Sequence, residues 1–156
     1  MLDILIISVG TIKEPFWQKA IEEYLKRLRS HARISVIEVP EERISSVADR
    51  ERILKIEAEG ILTKIPKDTF VVALDRAGKM FNSREWADQL NIWSRFGKRL
   101  TFIIGGPLGL APSVLEKSAV TLSLAKMTFT HQMSRVILLE QIYRASMISS
   151  GGQYHY

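Results

Sequence analysis

Apolar runs and amphipathic runs alternate almost strictly along this chain. Five strand-like runs, the first of them continuously apolar after Asp3, predict strands over 2–9, 33–39, 69–75, 99–106 and 119–124. Between them, apolar residues recur at helical spacing and predict helices from Pro15, from Asp49 to Ile65, from the expected N-cap Ser83 to Gly97, from Pro112, and from Met133 to Ser149. Strands this apolar are typical of a sheet covered on both faces.

This alternation predicts an α/β fold with a mostly parallel sheet and helices on both faces. Nothing resembling a linker or repeat interrupts the pattern, so we expect a single domain over residues 1–156. Ligands of such sheets bind at the carboxyl ends of the strands. That rule directs attention to the segments 74–79, 104–109 and 124–131.

The last predicted helix is apolar over more than half of its circumference. Its apolar residues are Val136, Ile137, Leu138, Leu139, Ile142, Tyr143, Ala145, Met147 and Ile148. A helix of this kind must be buried on two sides, against its own sheet and against something else. In a chain of 156 residues, we expect the second partner to be another copy of the chain.

Composition and charge narrow the class of protein. The net charge of +5 favours a polyanionic partner such as nucleic acid, although many mildly basic proteins bind none. The chain has no cysteine, and its three histidines are scattered, so we expect neither disulfides nor a metal site. The apolar N-terminus lacks a basic flank and a cleavage site, and no run is long enough to span a bilayer. We therefore expect a cytoplasmic protein that does not enter membranes.

The segment Gly105-Gly106-Pro107-Leu108-Gly109 follows the fourth strand and allows two interpretations. It is neither a Walker loop nor a dinucleotide fingerprint, and Pro107 stiffens it against cradling a polyphosphate. It either lets an uncharged or planar ligand lie against backbone or is a structural turn. Asp75, at the end of the third strand, either caps a turn or meets a ligand.

The C-terminal segment carries polar groups around an apolar helix. His131, Arg135 and Arg144 are candidates to contact a ligand, but Arg144 could equally pair with Glu140 at i,i+4 spacing. Two aromatic rings and an imidazole close the chain at Tyr154-His155-Tyr156. Such a terminus could stack on an unpaired base or pack against a partner.

Taken in order, these motifs resemble one known family over the whole chain. They are Val9-Gly10-Thr11, Leu74-Asp75, FIIGGPxG and LSLAKMTFTHQMSRVILLEQIYRA, followed by an end that contains Tyr-His. The chain is similar to the ribosomal RNA large subunit methyltransferase H family of the SPOUT superfamily. The resemblance implies a C-terminal trefoil knot, a homodimer, and methyl transfer from S-adenosylmethionine to N3 of a pseudouridine in 23S rRNA of the assembled ribosome.

The resemblance also implies roles for individual residues. Cofactor contacts fall on Leu74, Gly105, Gly106, Leu124, Ala125, Lys126, Met127, Thr128 and Phe129. The expected substrate contacts are His131, Arg135, Arg144 and Tyr154, and the expected catalytic groups are His155, Arg144 and Tyr154. Catalysis would consist of positioning for in-line attack and removal of the N3 proton, either by a base or with a cation that stabilises the anion.

Three departures from the family pattern concern the loop and the tail. Leu108 stands where the family usually has glutamate, Thr130 where it has proline, and the end reads GGQYHY without a terminal basic residue. These changes affect substrate docking more than cofactor binding. Two alternatives stay open: a non-catalytic ribosome-binding or RNA-binding protein of the same fold, and a flavodoxin-like nucleotide-binding module.

Overall fold

A computed structural model describes residues 1–151 and shows five strands and five α-helices in this part of the chain. The strands are β1 (Leu2–Val9), β2 (Ala32–Val39), β3 (Thr69–Lys79), β4 (Arg99–Ile104) and β5 (Val120–Leu122). The helices are α1 (Pro15–Leu28), α2 (Arg50–Leu62), α3 (Ser83–Ser94), α4 (Pro112–Lys117) and α5 (His131–Ser149), and a short 3-10 helix covers Val47–Asp49. Every predicted strand and helix is present.

The five strands form one sheet in the order β2-β1-β4-β3-β5. Each neighbouring pair is parallel, so the expected parallel sheet is confirmed. Strands β1 and β4 are the neighbours that lie farthest apart in the sequence, and their pairing runs from Ile4 opposite Leu100 to Ser8 opposite Ile104. All the strands therefore end at one carboxyl edge, where the three segments singled out by the sequence follow them.

Helices cover both faces of the sheet, as predicted. Alternate residues of the central strands point to opposite faces, so Ile4, Ile6 and Phe102 pack under α1, α3 and α5, while Leu5 and Ile7 pack under α2 and α4. All five of these side chains are buried. The central strands are therefore apolar on both faces, which explains their unbroken apolar runs.

Several element boundaries differ from the prediction. The helix α3 is capped by Asn82 and not by Ser83: the Asn82 side chain accepts hydrogen bonds from the backbone N–H of Arg84 and Glu85, and the Glu85 carboxylate accepts from the Asn82 N–H in return. This capping box fixes the start of α3 one residue earlier than expected. Helix α5 begins at His131, two residues early, because Thr130 caps the Met133 N–H.

Candidate functional site

A cavity of about 980 Å³ lies at the carboxyl edge of the sheet. Its walls come from the three segments that the sequence predicted, which follow β3, β4 and β5, and from the first residues of α5. Glu41, which follows β2, and Arg50, the first residue of α2, also line it. The position agrees with the rule that open parallel sheets bind ligands at this edge.

Eight of the nine residues predicted to contact a cofactor line this cavity. They are Leu74, Gly105, Gly106, Leu124, Ala125, Met127, Thr128 and Phe129. The ninth, Lys126, is exposed and is not part of the lining. His131, predicted to contact substrate, also faces the cavity. The fold therefore gathers residues that lie up to 57 positions apart in the sequence (74 to 131).

The glycine loop is a tight turn closed on itself. The Gly109 N–H donates to the Gly106 carbonyl at 3.0 Å, and Pro107 and Leu108 form the tip. A Cβ on Gly105 would lie 2.7 Å from the Gly109 carbonyl oxygen, and one on Gly106 would lie 3.0 Å from a Val9 methyl. The protein's own atoms therefore require glycine at Gly105, and the structural-turn interpretation explains that residue without a ligand.

A bulge between Leu74 and Lys79 forms the second wall. Both residues pair with Leu122 of β5, so the chain between them leaves the ladder. The Asp75 carboxylate accepts a hydrogen bond from the Ala77 N–H at 2.8 Å, which confirms the turn-capping interpretation of Asp75. Arg76, at the tip of this bulge, is exposed and lines the cavity mouth.

His131 stands at the floor of the cavity beside Gly10. Gly10 has φ +84°, and a Cβ there would lie 2.7 Å from the His131 ring, so only glycine lets the ring approach. Burial lowers the pKa of His131 below its ordinary value, although the Glu41 carboxylate 3.5 Å from Nε2 opposes this effect. The ring is therefore mainly neutral at pH 7, and its contact with Glu41 is not an ion pair at that pH.

Arg135, which the sequence predicted to contact substrate, lies inside the protein. Its side chain is 3 % exposed, and the guanidinium donates to Glu38 at 2.6 Å, to the Ser8 hydroxyl at 2.9 Å and to the Gly10 carbonyl at 3.0 Å. These contacts join α5 to β1 and β2. Arg135 does not line the cavity, and its buried Nε has no hydrogen-bond partner. We assign the contacts described here to the fold, and the contact of Arg135 with substrate stays a prediction.

Arg144 lies away from the cavity. Its Nε donates to the Glu140 carboxylate at 3.0 Å, so the predicted i,i+4 pair is present. Arg144 follows His131 by thirteen residues on the same helix, a distance of about 20 Å at 1.5 Å per residue. The predicted tail residues Tyr154 and His155 lie outside the described residues.

Glu57 is a residue that the sequence analysis missed. It belongs to α2, is 3 % exposed, and lies beneath the glycine loop, where its carboxylate would be 3.2 Å from a Cβ on Gly106. One oxygen accepts from the Glu42 N–H at 3.1 Å, and the other has no hydrogen-bond partner. Burial is the main cause that raises the pKa of Glu57. The only signal of Glu57 in the sequence is a glutamate inside a predicted helix, and such glutamates are too common to indicate a buried carboxylate at the site.

Within residues 1–151, no helix is both long and apolar enough to cross a membrane, and no group of three metal-ligating side chains is gathered in one place.

Comparison with known proteins identifies the family. The family model described as "Predicted SPOUT methyltransferase" matches residues 2–155. Proteins named ribosomal RNA large subunit methyltransferase H are similar along 99% of both chains, with 48% identity in Carboxydothermus hydrogenoformans, 46% in Moorella thermoacetica and 44% in Bacillus cytotoxicus.

Two solved structures share the fold at low sequence identity. A probable methylase family protein from Haemophilus influenzae matches with TM-score 0.55 and 14% identity, over 95% of this chain and 66% of that one. A probable rRNA-methyltransferase from Porphyromonas gingivalis matches with TM-score 0.53 and 14% identity, over 95% and 70%. The family match over nearly the whole chain and the relatives at 44–48% identity lead to one conclusion: this chain belongs to the SPOUT methyltransferases, in the ribosomal RNA large subunit methyltransferase H family.

Proposed function

We propose that this protein is a homodimeric enzyme that transfers a methyl group from S-adenosylmethionine to N3 of a pseudouridine in 23S rRNA of the assembled ribosome, in the cytoplasm. The observation that carries the proposal is the cavity at the carboxyl edge, lined by eight of the nine residues expected to contact the cofactor. The names of the relatives support ribosomal RNA as the substrate.

The lining of the cavity suits S-adenosylmethionine better than a polyphosphate nucleotide. Leu74, Leu124 and Phe129 supply apolar walls for an adenosine, and the irregular backbone of 124–129 supplies N–H and C=O groups. Charged residues of both signs also line the cavity, Glu41 and Asp75 with Arg50 and Arg76. Such a lining suits a ligand that carries charges of both signs, as S-adenosylmethionine does. The bound cofactor would supply a methyl group that its sulfonium already makes electrophilic.

The protein's own part in the reaction would be positioning and control of one proton. The closed turn at Gly106–Gly109 and the bulge after Leu74 hold two walls of the cavity in fixed positions. His131, mainly neutral at pH 7, can accept a hydrogen bond from the target base without presenting a charge. His155, Tyr154 and Arg144 remain our proposed groups for loss of the N3 proton or for stabilising the resulting anion.

The partly exposed apolar face of α5 supports the proposed homodimer. Of its apolar residues, Leu138, Leu139, Ile142 and Ala145 are buried within one chain, while others, such as Val136 and Met147, stay partly exposed. Arg144 is about 20 Å from the cavity floor of its own chain. We therefore infer that a second copy covers the remaining face of α5 and brings its Arg144 to this cavity. We also propose the trefoil knot of the superfamily for the segment that ends in α5.

The first test is titration calorimetry of S-adenosylmethionine into the protein, followed by transfer of labelled methyl to ribosomes with and without the pseudouridine. Gly105→Val is a poor probe because it collides with the loop itself. Ala125→Trp fills the cavity instead, and Ala48→Trp, at an exposed position of the 3-10 helix, is its control.

We expect Ala125→Trp to abolish cofactor binding and methyl transfer, and Ala48→Trp to preserve both. If the wild type binds ribosomes without binding the cofactor, the non-catalytic alternative replaces this proposal. If Ala125→Trp binds the cofactor normally, the cavity is not the cofactor site.

A further inference from the structure

A second concave surface lies at the opposite edge of the sheet, where β3, β4 and β5 begin. We call it the lysine–phenylalanine shelf and define it by Phe70, Phe96, Lys67, Lys98 and Lys117, which line a cavity of about 570 Å³. Six residues of β3, from Thr69 to Leu74, separate this edge from the candidate methylation site. At 3.3 Å per residue, the two sites are roughly 20 Å apart.

The aromatic part of the shelf is rigid and partly open to solvent. Phe96 is 52% exposed, and the centroid of its ring lies 5.3 Å from that of the Phe70 ring. Phe70 in turn packs against Trp93 at 5.4 Å, and Trp93 is 3% exposed. An exposed ring held from behind by core aromatics offers a flat face at little entropic cost, which is the property that stacked bases require.

The three lysines give the shelf positive charge, of which only that of Lys98 is paired with a carboxylate among the described residues. Lys67 and Lys117 are exposed, and neither makes an ion pair with another described residue. Lys98 pairs with Asp68 at 2.9 Å, but both side chains are largely exposed, at 48% and 79%, so water and salt weaken this pair. Thr69 also lines the shelf, but its hydroxyl already makes hydrogen bonds with the Arg99 carbonyl and the Thr101 hydroxyl, so it requires no hydrogen bond from a ligand.

We propose that the shelf binds an unpaired nucleotide of an RNA, with its base stacked on Phe96 and the neighbouring phosphates held by Lys67, Lys98 and Lys117. The identity of that RNA as the ribosomal substrate rests on the function proposed above. The shelf gives the enzyme a second point of attachment that takes no part in cofactor binding. A small domain of this size gains affinity and orientation from such a remote contact.

The test measures binding of a fluorescein-labelled decamer of uridine by anisotropy across a series of KCl concentrations. The site variant combines Lys67→Gln, Lys98→Gln and Lys117→Gln. The control removes the same charge from exposed helical lysines through Lys19→Gln, Lys26→Gln and Lys55→Gln. A third variant, Phe96→Ala, removes the stacking face and leaves the charge intact.

Three phosphate contacts on a single strand correspond to a slope of about −2 in log affinity against log salt. We expect the site variant to lose about 2 from that slope and roughly a hundredfold in affinity at 0.1 M salt. Phe96→Ala should lose about tenfold with the slope unchanged. The control should change both quantities much less, and every variant should bind S-adenosylmethionine like the wild type.

The proposal is overturned if the wild type does not bind the decamer, or if the site variant behaves like the control. It is also overturned if the lysine variant weakens binding and Phe96→Ala does not, since the shelf would then attract any polyanion, including an acidic protein segment. The proposed function is tested separately, by cofactor calorimetry and ribosome methylation with the wild type. A result that overturns RNA binding at the shelf can therefore be distinguished from one that overturns the proposed function.

Discussion

Replacing Arg135 by methionine should destabilise the protein without acting on RNA directly. Methionine keeps most of the buried aliphatic volume and removes the three hydrogen bonds to Glu38, Ser8 and Gly10. These bonds connect α5 to the first two strands across about 100 or more positions of sequence. Their loss should therefore affect global unfolding rather than fraying of one element.

The magnitude can be worked from burial. Breaking a buried ion pair costs about 3–5 kcal/mol when the remaining charge cannot reach water. The Glu38 side chain is 37% exposed, so its carboxylate can be hydrated after the change, and that part of the cost shrinks. The Ser8 hydroxyl and the Gly10 carbonyl would lose a charged donor inside the protein, at about 1–3 kcal/mol each, partly offset because a buried cation is removed. The net cost is about 2–4 kcal/mol.

For a domain of this size, that loss lowers Tm by roughly 5–15 °C. Differential scanning calorimetry of Arg135→Met measures it, and Arg33→Met, an exposed arginine on β2, should stay within about 0.5 kcal/mol of the wild type. An unchanged Tm for Arg135→Met would refute the reasoning. Loss of RNA affinity at an unchanged Tm would restore Arg135 as a contact to the substrate.

Three further changes test the site and its support. Gly105→Ala should cost about 1–3 kcal/mol in urea unfolding, because its Cβ meets the Gly109 carbonyl at 2.7 Å, and a cost near zero would contradict the packed loop. Glu57 has a raised pKa, so the folded state loses stability as pH rises from about 4.5 to the folded pKa. Glu57→Gln should flatten the pH dependence of Tm across that window, so that its Tm relative to the wild type is higher at pH 8 than at pH 4. Parallel curves of Tm against pH for the two proteins would count against this. Asn82→Ala should remove about 0.5–2 kcal/mol by breaking the capping box of α3, whereas Ser83→Ala should cost less, and the reverse order by thermal melting would contradict the assigned cap.

The periodicity of apolar residues was sufficient to predict the fold class. The central strands β1 and β4 are buried on both faces, so most of their positions are apolar, with Ser8 and Thr101 as the buried polar exceptions. This pattern is a signal that needs no long-range information. The same reasoning predicted the carboxyl edge as the site. The ends of the helices were predicted less accurately, because caps such as Asn82 depend on hydrogen bonds of individual side chains.

The roles of single polar residues could not be predicted in the same way. Arg135 and Arg144 both lie on α5 among apolar neighbours, yet one is buried against Ser8 and the other pairs with Glu140. What separates them is the position of β1 and β2, more than 90 residues away in sequence, and no local pattern encodes it. The glycine loop shows the same limit. Its sequence indicates that other atoms approach its backbone closely, but only the fold shows that at Gly105 the approaching atom is the carbonyl oxygen of Gly109. A ligand in this cavity would therefore meet a loop already rigid before binding, so the cofactor need not order the loop and its affinity should not carry that entropic cost.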